Sequence, residues 1–213
     1  MKRLEELTQI AQDGFGSGIT QEDVRRHIEN SGFVFVFESR KHEFARRNPF
    51  GFSAYSVLDV GGKKVLYLEG IVLRKEFQKC GIFGYVNRAE LGLGCFDFFA
   101  MRTQNPVVYA AAEKLVDKLY PNGEQMPEEF RKVGRVIALG YLEMDDFAEE
   151  NFVGRKTYGT SLYERIPRHG KADKLFDNVL KLDYNAGDSV LLIGKPRKEI
   201  VFKAPGGFVK TGW

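Results

Sequence analysis

At 213 residues, 43% hydrophobic and 29% charged, the chain can bury one generous core and is too apolar for a disordered or fibrous polymer. Its formal charge of +3 is too balanced to call for nucleic acid, and no apolar run approaches the roughly 20 residues of a membrane helix. Cys80 and Cys95 form no CxxC pair, so neither a disulfide framework nor a zinc site is expected; with no apolar leader segment, the expectation is a reducing, cytoplasmic setting.

Taken in chain order, Leu4, Leu7 and Ile10 predict an amphipathic helix over 3–13, broken by the glycines of "DGFGSGIT". Thr20 followed by Asp23 is close to a capping box and predicts a second helix to about Asn30. "GFVFVFES" reads as a strand, "SRKHEFARRN" as a basic loop, and Asn48-Pro49 as a turn. Residues 51–60 and 64–74 read as strands joined through Gly61-Gly62, a hairpin signal. A helix is predicted over 81–92 and a buried strand over 94–102. Asn105 as cap and Pro106 at the first position start another helix, carried to Pro121 by the stripe Val108, Ala112, Leu115 and Leu119. Phe130, Val133, Ile137 and Tyr141 share a face of a helix from 128 to about 140, and beyond 150 "RKTYGTSLY" and "DSVLLIGK" read as strands. With no repeat or linker, the reading is one domain over 1–213, α/β or α+β around a single mixed sheet. Its motif-bearing core lies at about 33–119, an insert at about 120–150, and C-terminal strands at about 155–195.

The stretch "VLYLEGIVLRKEFQKCGIFGYVNRAEL", residues 65–91, changes from a β-branched apolar run to a helix pattern through a glycine-containing loop. A loop between a buried strand and a helix gathers N–H groups at the positive end of the helix dipole, where anionic phosphates bind. Neither the GxGxxG fingerprint nor the GxxxxGK[ST] P-loop is present. What stands there is Gln78-x-x-Gly81-x-Phe83-Gly84 opening a helix, and this resembles motif A of the GNAT superfamily, the acyl-CoA-dependent N-acyltransferases. Phe83 stands where that motif has Gly or Ala. Downstream, Asn105 and Glu113-Lys114-Leu115 are similar to the family's next strand–helix segment, with Ala112 in place of its tyrosine. The two motifs cover residues 65 to about 119.

The resemblance implies one mostly antiparallel mixed sheet flanked by helices and splayed at its central strand. It implies acetyl-CoA as co-substrate and no metal. Pantetheine would bond to the backbone of Ile71 and Leu73, alongside Val72. The diphosphate would lie after Gln78 on the N–H groups of Lys79, Cys80, Gly81, Ile82, Phe83 and Gly84, with Ile82 and Phe83 as the buried start of the helix. Asn105 would approach the cysteamine end. Direct transfer needs a base for the amine and an acid for the thiolate. Glu69 is the one carboxylate within the apolar run 65–73 and is the expected base; Tyr109, one turn before Ala112, is the candidate acid.

Other features are read as structural. Cys80 has no visible base beside it. His27, His42 and His169 lack ligand spacing and are assigned to the surface. The basic loop, with Arg40, Lys41, Arg46 and Arg47, is a solvated segment or a site for the CoA 3′-phosphate or an acidic substrate, and Gly14, Gly16 and Gly18 suggest a substrate lid. The expected function is an N-acetyltransferase acting on a small-molecule or peptide primary amine; the alternative is a non-catalytic acyl-CoA-binding regulator. No nucleic acid or membrane partner is expected, and the insert and tail are assigned to an acceptor pocket or a homodimer interface.

Overall fold

Helix α1 (Lys2–Phe15) buries Leu7, Ile10 and Ala11, the stripe its spacing predicts. Helix α2 (Gln21–Glu29) starts at Thr20, where the Thr20 hydroxyl accepts from the Asp23 amide and the Asp23 carboxylate accepts from the Thr20 amide. Strands β1 (Phe33–Ser39), β2 (Asn48–Val60) and β3 (Lys63–Leu73) then run as an antiparallel meander. Gly61 and Gly62 turn the second hairpin at φ of +60° and +79°, which residues with a Cβ rarely adopt. The computed structural model describes residues 2–16, 18–39, 48–163 and 165–199, so most of the basic loop lies outside the described residues. Asn48 and Pro49, expected as a turn, already belong to β2, opposite Ser39 and Glu38, where a bulge interrupts the ladder.

Helix α3 (Ile82–Leu93) returns the chain to β4 (Phe98–Thr103), which pairs parallel to β3. Helix α4 (Pro106–Ala112) is capped by Asn105 as predicted, but it is shorter than the apolar stripe suggested. Residues Val116–Tyr120 form a strand, β5, antiparallel to β8 (Ser189–Pro196). Helix propensity is a weak prior, and here it loses to an open strand edge on which Val116, Leu119 and Tyr120 become buried. Helix α5 (Glu128–Arg135) continues as a π-turn to Tyr141. Two short strands, β6 (Phe147–Ala148) and β7 (Val153–Gly154), precede helix α6 (Gly170–Lys174), which ends in a second π-turn at Leu180. "RKTYGTSLY" forms turns, not the expected strand, whereas "DSVLLIGK" is β8.

The sheet order is β1-β2-β3-β4-β8-β7-β6, with β5 also on β8, and among the described residues only the β3–β4 pair is parallel. This is the mixed, mostly antiparallel sheet flanked by helices that the resemblance implies. One face carries Tyr55, Leu66, Leu68, Phe99 and Met101 and packs with residues of α3, α4 and α6. The other face is covered in two patches: α1 and α2 lie over Val34, Phe52, Ala54 and Val72, and α5 lies over Val65, Tyr67, Phe98 and Ala100. Among the described residues no helix is long and apolar enough to cross a membrane.

Candidate active site

Pairing between β3 and β4 runs from Val65↔Phe98 to Leu68↔Met101 and stops there. The next residue on each strand is charged, Glu69 on one and Arg102 on the other. At the same point the β2–β3 register slips: Ala54 faces Gly70 while Tyr55 faces Leu68, leaving Glu69 as the extra residue of a bulge. A bulge bends its strand and re-aims a side chain, and this one sits where the two strands part. By alternation Glu69 and Arg102 belong to the face of Tyr67 and Ala100, in the gap between the α1/α2 patch and the α5 patch.

Three elements meet at the Glu69 carboxylate. Ser56 of β2 donates its hydroxyl to Oε1 at 2.7 Å, and the Tyr141 hydroxyl bonds the same oxygen while lying 2.8 Å from Ser56 Oγ. The Gly32 amide holds Ser56 in place at 3.2 Å. Burial pushes the Glu69 carboxyl above its ordinary 4.5, and the bonds from Tyr141 and Ser56 and the charge of Arg102 offset only part of that rise. The result is a stronger base than a free glutamate, which general-base work at neutral pH favours. Tyr141 closes the π-turn after α5, its ring edge-on to Tyr67 at 5.5 Å, and burial with the bond to Glu69 pushes its hydroxyl up to about 12.

His27 of α2 also reaches this place. A Cβ on Gly70 would stand 2.9 Å from its Nε2, so the absent side chain lets the imidazole lie against β3 beside Glu69. The surface assignment therefore fails for His27, which is half-buried, and stands for His169, which is exposed; His42 lies outside the described residues. Burial and the nearby Arg102 charge hold the His27 pKa below 6.5, which leaves the ring neutral at pH 7. Arg102 rests its guanidinium over the Tyr158 ring, 4.6 Å from the centroid. Burial opposes its charge, but Tyr158, Tyr67 and Glu69 outweigh burial and its pKa rises. Beyond it opens a pocket of about 350 Å³, with Leu142, Met144 and Thr157 in its wall.

The glycine loop leads into an open helix end. Lys79 and Gly81 take φ of +64° and +78°, and no side chain caps α3 at Gly81. Among the described residues the first amides of α3 meet no side-chain acceptor, while Tyr85 is the first to bond back, to the Gly81 carbonyl at 3.0 Å. A Cβ on Gly84 would stand 3.2 Å from Arg88 Nη1, so the guanidinium folds back over this turn and adds charge there. Phe83 and Ile82 point the other way and pack against the core, so the large residue in the motif stays off the loop. The Gln78 amide donates to the Leu73 carbonyl at 3.1 Å and the Gly14 carbonyl at 3.4 Å, tying loop, strand and α1 together. Cys80 is exposed, its thiol against the Gln78 carbonyl.

Residues Ile71, Val72 and Leu73 pair with Ser53, Phe52 and Gly51 on the β2 side. On the β4 side no strand of the described residues pairs with them. Gly14 lies inside α1, and a Cβ there would come within 2.8 Å of the Leu73 carbonyl, so this glycine serves close packing against β3.

Asn105 spends its carbonyl on capping α4, accepting from the Val107 amide at 2.9 Å and the Val108 amide at 3.4 Å. Its side-chain amide donates to the Tyr163 hydroxyl at 3.2 Å. The Tyr163 ring also meets Phe15 at 5.5 Å, and the Leu162 amide donates to Gln104 Oε1 at 3.1 Å. Residues 162 and 163 therefore bridge α1, which rides on β3, and the end of β4. Burial pushes the Tyr163 hydroxyl up to about 12, and Asn105 pulls the other way. Tyr109, by contrast, is buried, its ring edge against Phe176 at 5.7 Å and its hydroxyl donated to the Pro121 carbonyl at 3.2 Å. Ala112 is fully buried.

The structure thus brings Ser56, Tyr141, His27 and Arg102 to Glu69 and sets Tyr163 on Asn105, none of which the sequence reading named for the site. Arg102 alone had a readable signal, as the only charged residue in the apolar run "FFAMRT". Among the described residues no group of three His, Cys, Asp or Glu stands where it could hold a metal ion.

No protein-family model matches the chain, and no curated protein matches it in sequence. Among solved structures the chain is similar to the ribosomal-protein-S18-alanine N-acetyltransferase from Escherichia coli. The identity is 10% over 98% of this chain and 95% of that chain, with a TM-score of 0.48. It is also similar to the NatC complex bound to Gag peptide and CoA, with 9% identity over 91% of each chain and a TM-score of 0.44.

Proposed function

We propose that the protein is an N-acetyltransferase of the GNAT kind, moving an acetyl group from acetyl-CoA to a primary amine with Glu69 as the base. The observation that carries this reading is the parting of β3 and β4 at Glu69. Among the described residues it leaves a strand edge without a strand partner over residues 69–73, with a carboxylate of raised pKa at its start and an N-terminus of α3 that no side chain caps beyond its end. The Ile71–Leu73 edge would take a pantetheine amide as an added strand would. The first-turn amides of α3, with Arg88 folded over Gly84, would hold a diphosphate.

In this reading Glu69 accepts a proton from the attacking amine as the N–C bond forms, and the C–S bond breaks to release a thiolate. The thiolate needs a proton. Tyr109 has given its hydroxyl to Pro121, whereas Tyr163 stands at Asn105 and is the better placed donor. Tyr163→Phe is expected to lower kcat by at least about tenfold with KM for acetyl-CoA little changed, in keeping with the size of single proton-transfer contributions. Tyr109→Phe should leave kcat within about twofold. Steady-state thiol release on both variants checks this, and the reverse order of effects would return the acid role to Tyr109.

The whole reading is tested by thermal shift with acetyl-CoA and by thiol release across a panel of primary amines. No stabilisation and no thiol release would end it. Stabilisation without thiol release would favour the second reading, a non-catalytic acyl-CoA-binding regulator, for which buried Ala112 at the motif's tyrosine position is the supporting feature. Gly81→Val probes the loop. A Cβ there meets no atom within 4 Å, so the strain comes from φ +78° in a β-branched residue, about 1–2 kcal/mol. Acetyl-CoA affinity by calorimetry should fall at least about tenfold, while the melting temperature falls by no more than about 8 °C.

A further inference from the structure

Arg102 is out of keeping with its position. It is the only charged side chain of β4, it is half-buried, and its partner is the Tyr158 ring. No carboxylate of the described residues lies within ion-pair distance of it. A guanidinium taken out of water without an anion is costly, and its rigid fork of donors fits a carboxylate in two parallel bonds. It also lines the pocket of about 350 Å³. The other basic groups there are already used or solvated: Arg155 is bonded to buried Asp188, and Lys156 is exposed.

Glu69 and Arg102 are the first residues past the last paired rung of β3 and β4, and they belong to one face of the sheet. Two groups of opposite charge thus stand side by side where the proposed reaction would occur, one able to take a proton from an amine, the other to hold an anion. Resting on the acetyltransferase reading, we propose that the acceptor is an amine that also carries a carboxylate, a compound of the amino-acid class. Its carboxylate is held by Arg102 in the pocket and its amine is presented to Glu69. The acids Glu143, Asp145 and Asp146 on the same pocket do not oppose this, because all three are exposed and screened by water, whereas Arg102 acts from the sheet itself.

The test compares each common L-amino acid with its own α-amide, which keeps the shape and the amine but removes the negative charge. Thiol release from acetyl-CoA is measured for both, and the quantity read is the ratio of kcat/KM for acid over amide. At least one pair should show a ratio of about ten or more in the wild type, the worth of one charge-assisted hydrogen bond. Arg102→Gln should bring that ratio to near one, and Arg102→Lys, which keeps charge without the fork, to an intermediate value. Because both substrates are read on the same variant, a general loss of folded protein cancels from the ratio. A wild-type ratio near one for every pair, or a ratio that survives Arg102→Gln, overturns the proposal.

Calorimetric titration of the same acids, with CoA present, separates this inference from the reading beneath it. Acetyl-CoA stabilisation with no acid preference removes only the role of Arg102. Acid binding that depends on Arg102, in a protein indifferent to acetyl-CoA, removes only the transferase reading. An absence of acid binding and of acid-dependent thiol release overturns the proposal outright.

Discussion

Glu69→Gln is expected to lower kcat by about 10²–10⁴-fold while leaving the melting temperature unchanged or higher. The rate loss follows from removing the proposed base, since general bases in enzymes contribute in that range. The stability result follows from the sign of the pKa shift. Burial raises the folded-state pKa of Glu69 above 4.5, so its stabilising contribution is present in full below the unfolded value and is lost as pH rises through the folded value. At neutral pH glutamine avoids that loss, and its carbonyl still accepts from Ser56 and Tyr141. Melting curves of wild type and variant should therefore separate in favour of the variant as pH rises through the folded pKa of Glu69.

The same shift fixes the acidic limb of kcat/KM. Activity should rise with pH to a midpoint above 4.5, and that limb should vanish in Glu69→Gln. Ser56 from β2, Tyr141 after α5 and Arg102 from β4 act on this carboxylate, and His27 from α2 lies against Gly70, the next residue of β3. Of these only His27 titrates near the same range, with its pKa held below 6.5. A limb that persists in Glu69→Gln and disappears in His27→Gln would transfer the base role to the histidine.

The second large effect concerns stability. Asp188→Ala is expected to destabilise the fold by about 3–5 kcal/mol, because two backbone amides and the part-exposed Arg155 guanidinium lose a buried carboxylate acceptor. Asp188 is 2% exposed and holds three groups: the Arg155 guanidinium, the Lys156 amide at 3.0 Å and the Asp183 amide at 3.0 Å. These fix the Arg155–Thr157 side of the pocket to the start of β8, so the proposed acceptor pocket should loosen along with the fold. For a chain of this length the melting temperature should drop by roughly 6–20 °C.

Here pH acts in the opposite sense from Glu69. Burial works to raise the Asp188 pKa, but the bonds from Lys156, Arg155 and Asp183 outweigh it and hold the carboxyl below 3.8. Its contribution is complete above that value and is lost as pH falls through the folded pKa. The gap between wild type and Asp188→Ala should be constant near neutrality and narrow below pH 3.8. A drop of less than about 2 °C, or a gap unchanged down to pH 3, would show that these bonds do not anchor the loop.

What the sequence alone determined is the set of features whose causes are local. Thr20 and Asp23 cap α2 within three residues, Gly61-Gly62 supplies the positive φ of the hairpin, and Asn105 with Pro106 starts α4. Glu69 stood out in the sequence because a carboxylate inside an apolar run has to be explained by its surroundings. Tertiary structure decided everything that depends on which segments meet. Leu115 and Leu119 fit a helical stripe equally well, and only the free edge of β8, a strand more than 70 residues later, turned 116–120 into β5. Tyr141 fitted the apolar face of α5, and the π-turn that carries its hydroxyl to Ser56, 85 residues away in sequence, left no local signature. Tyr163 reaches Asn105 across 58 residues, and Arg102 and Glu69 come to one face of the sheet, just past its last parallel rung, only through the β3–β4 register. Caps and turns are fixed by φ, ψ and the nearest donors, so a sequence shows them directly. A site assembled from β2, β3, β4, α2 and the end of α5 depends on strand register and packing, which no single segment encodes.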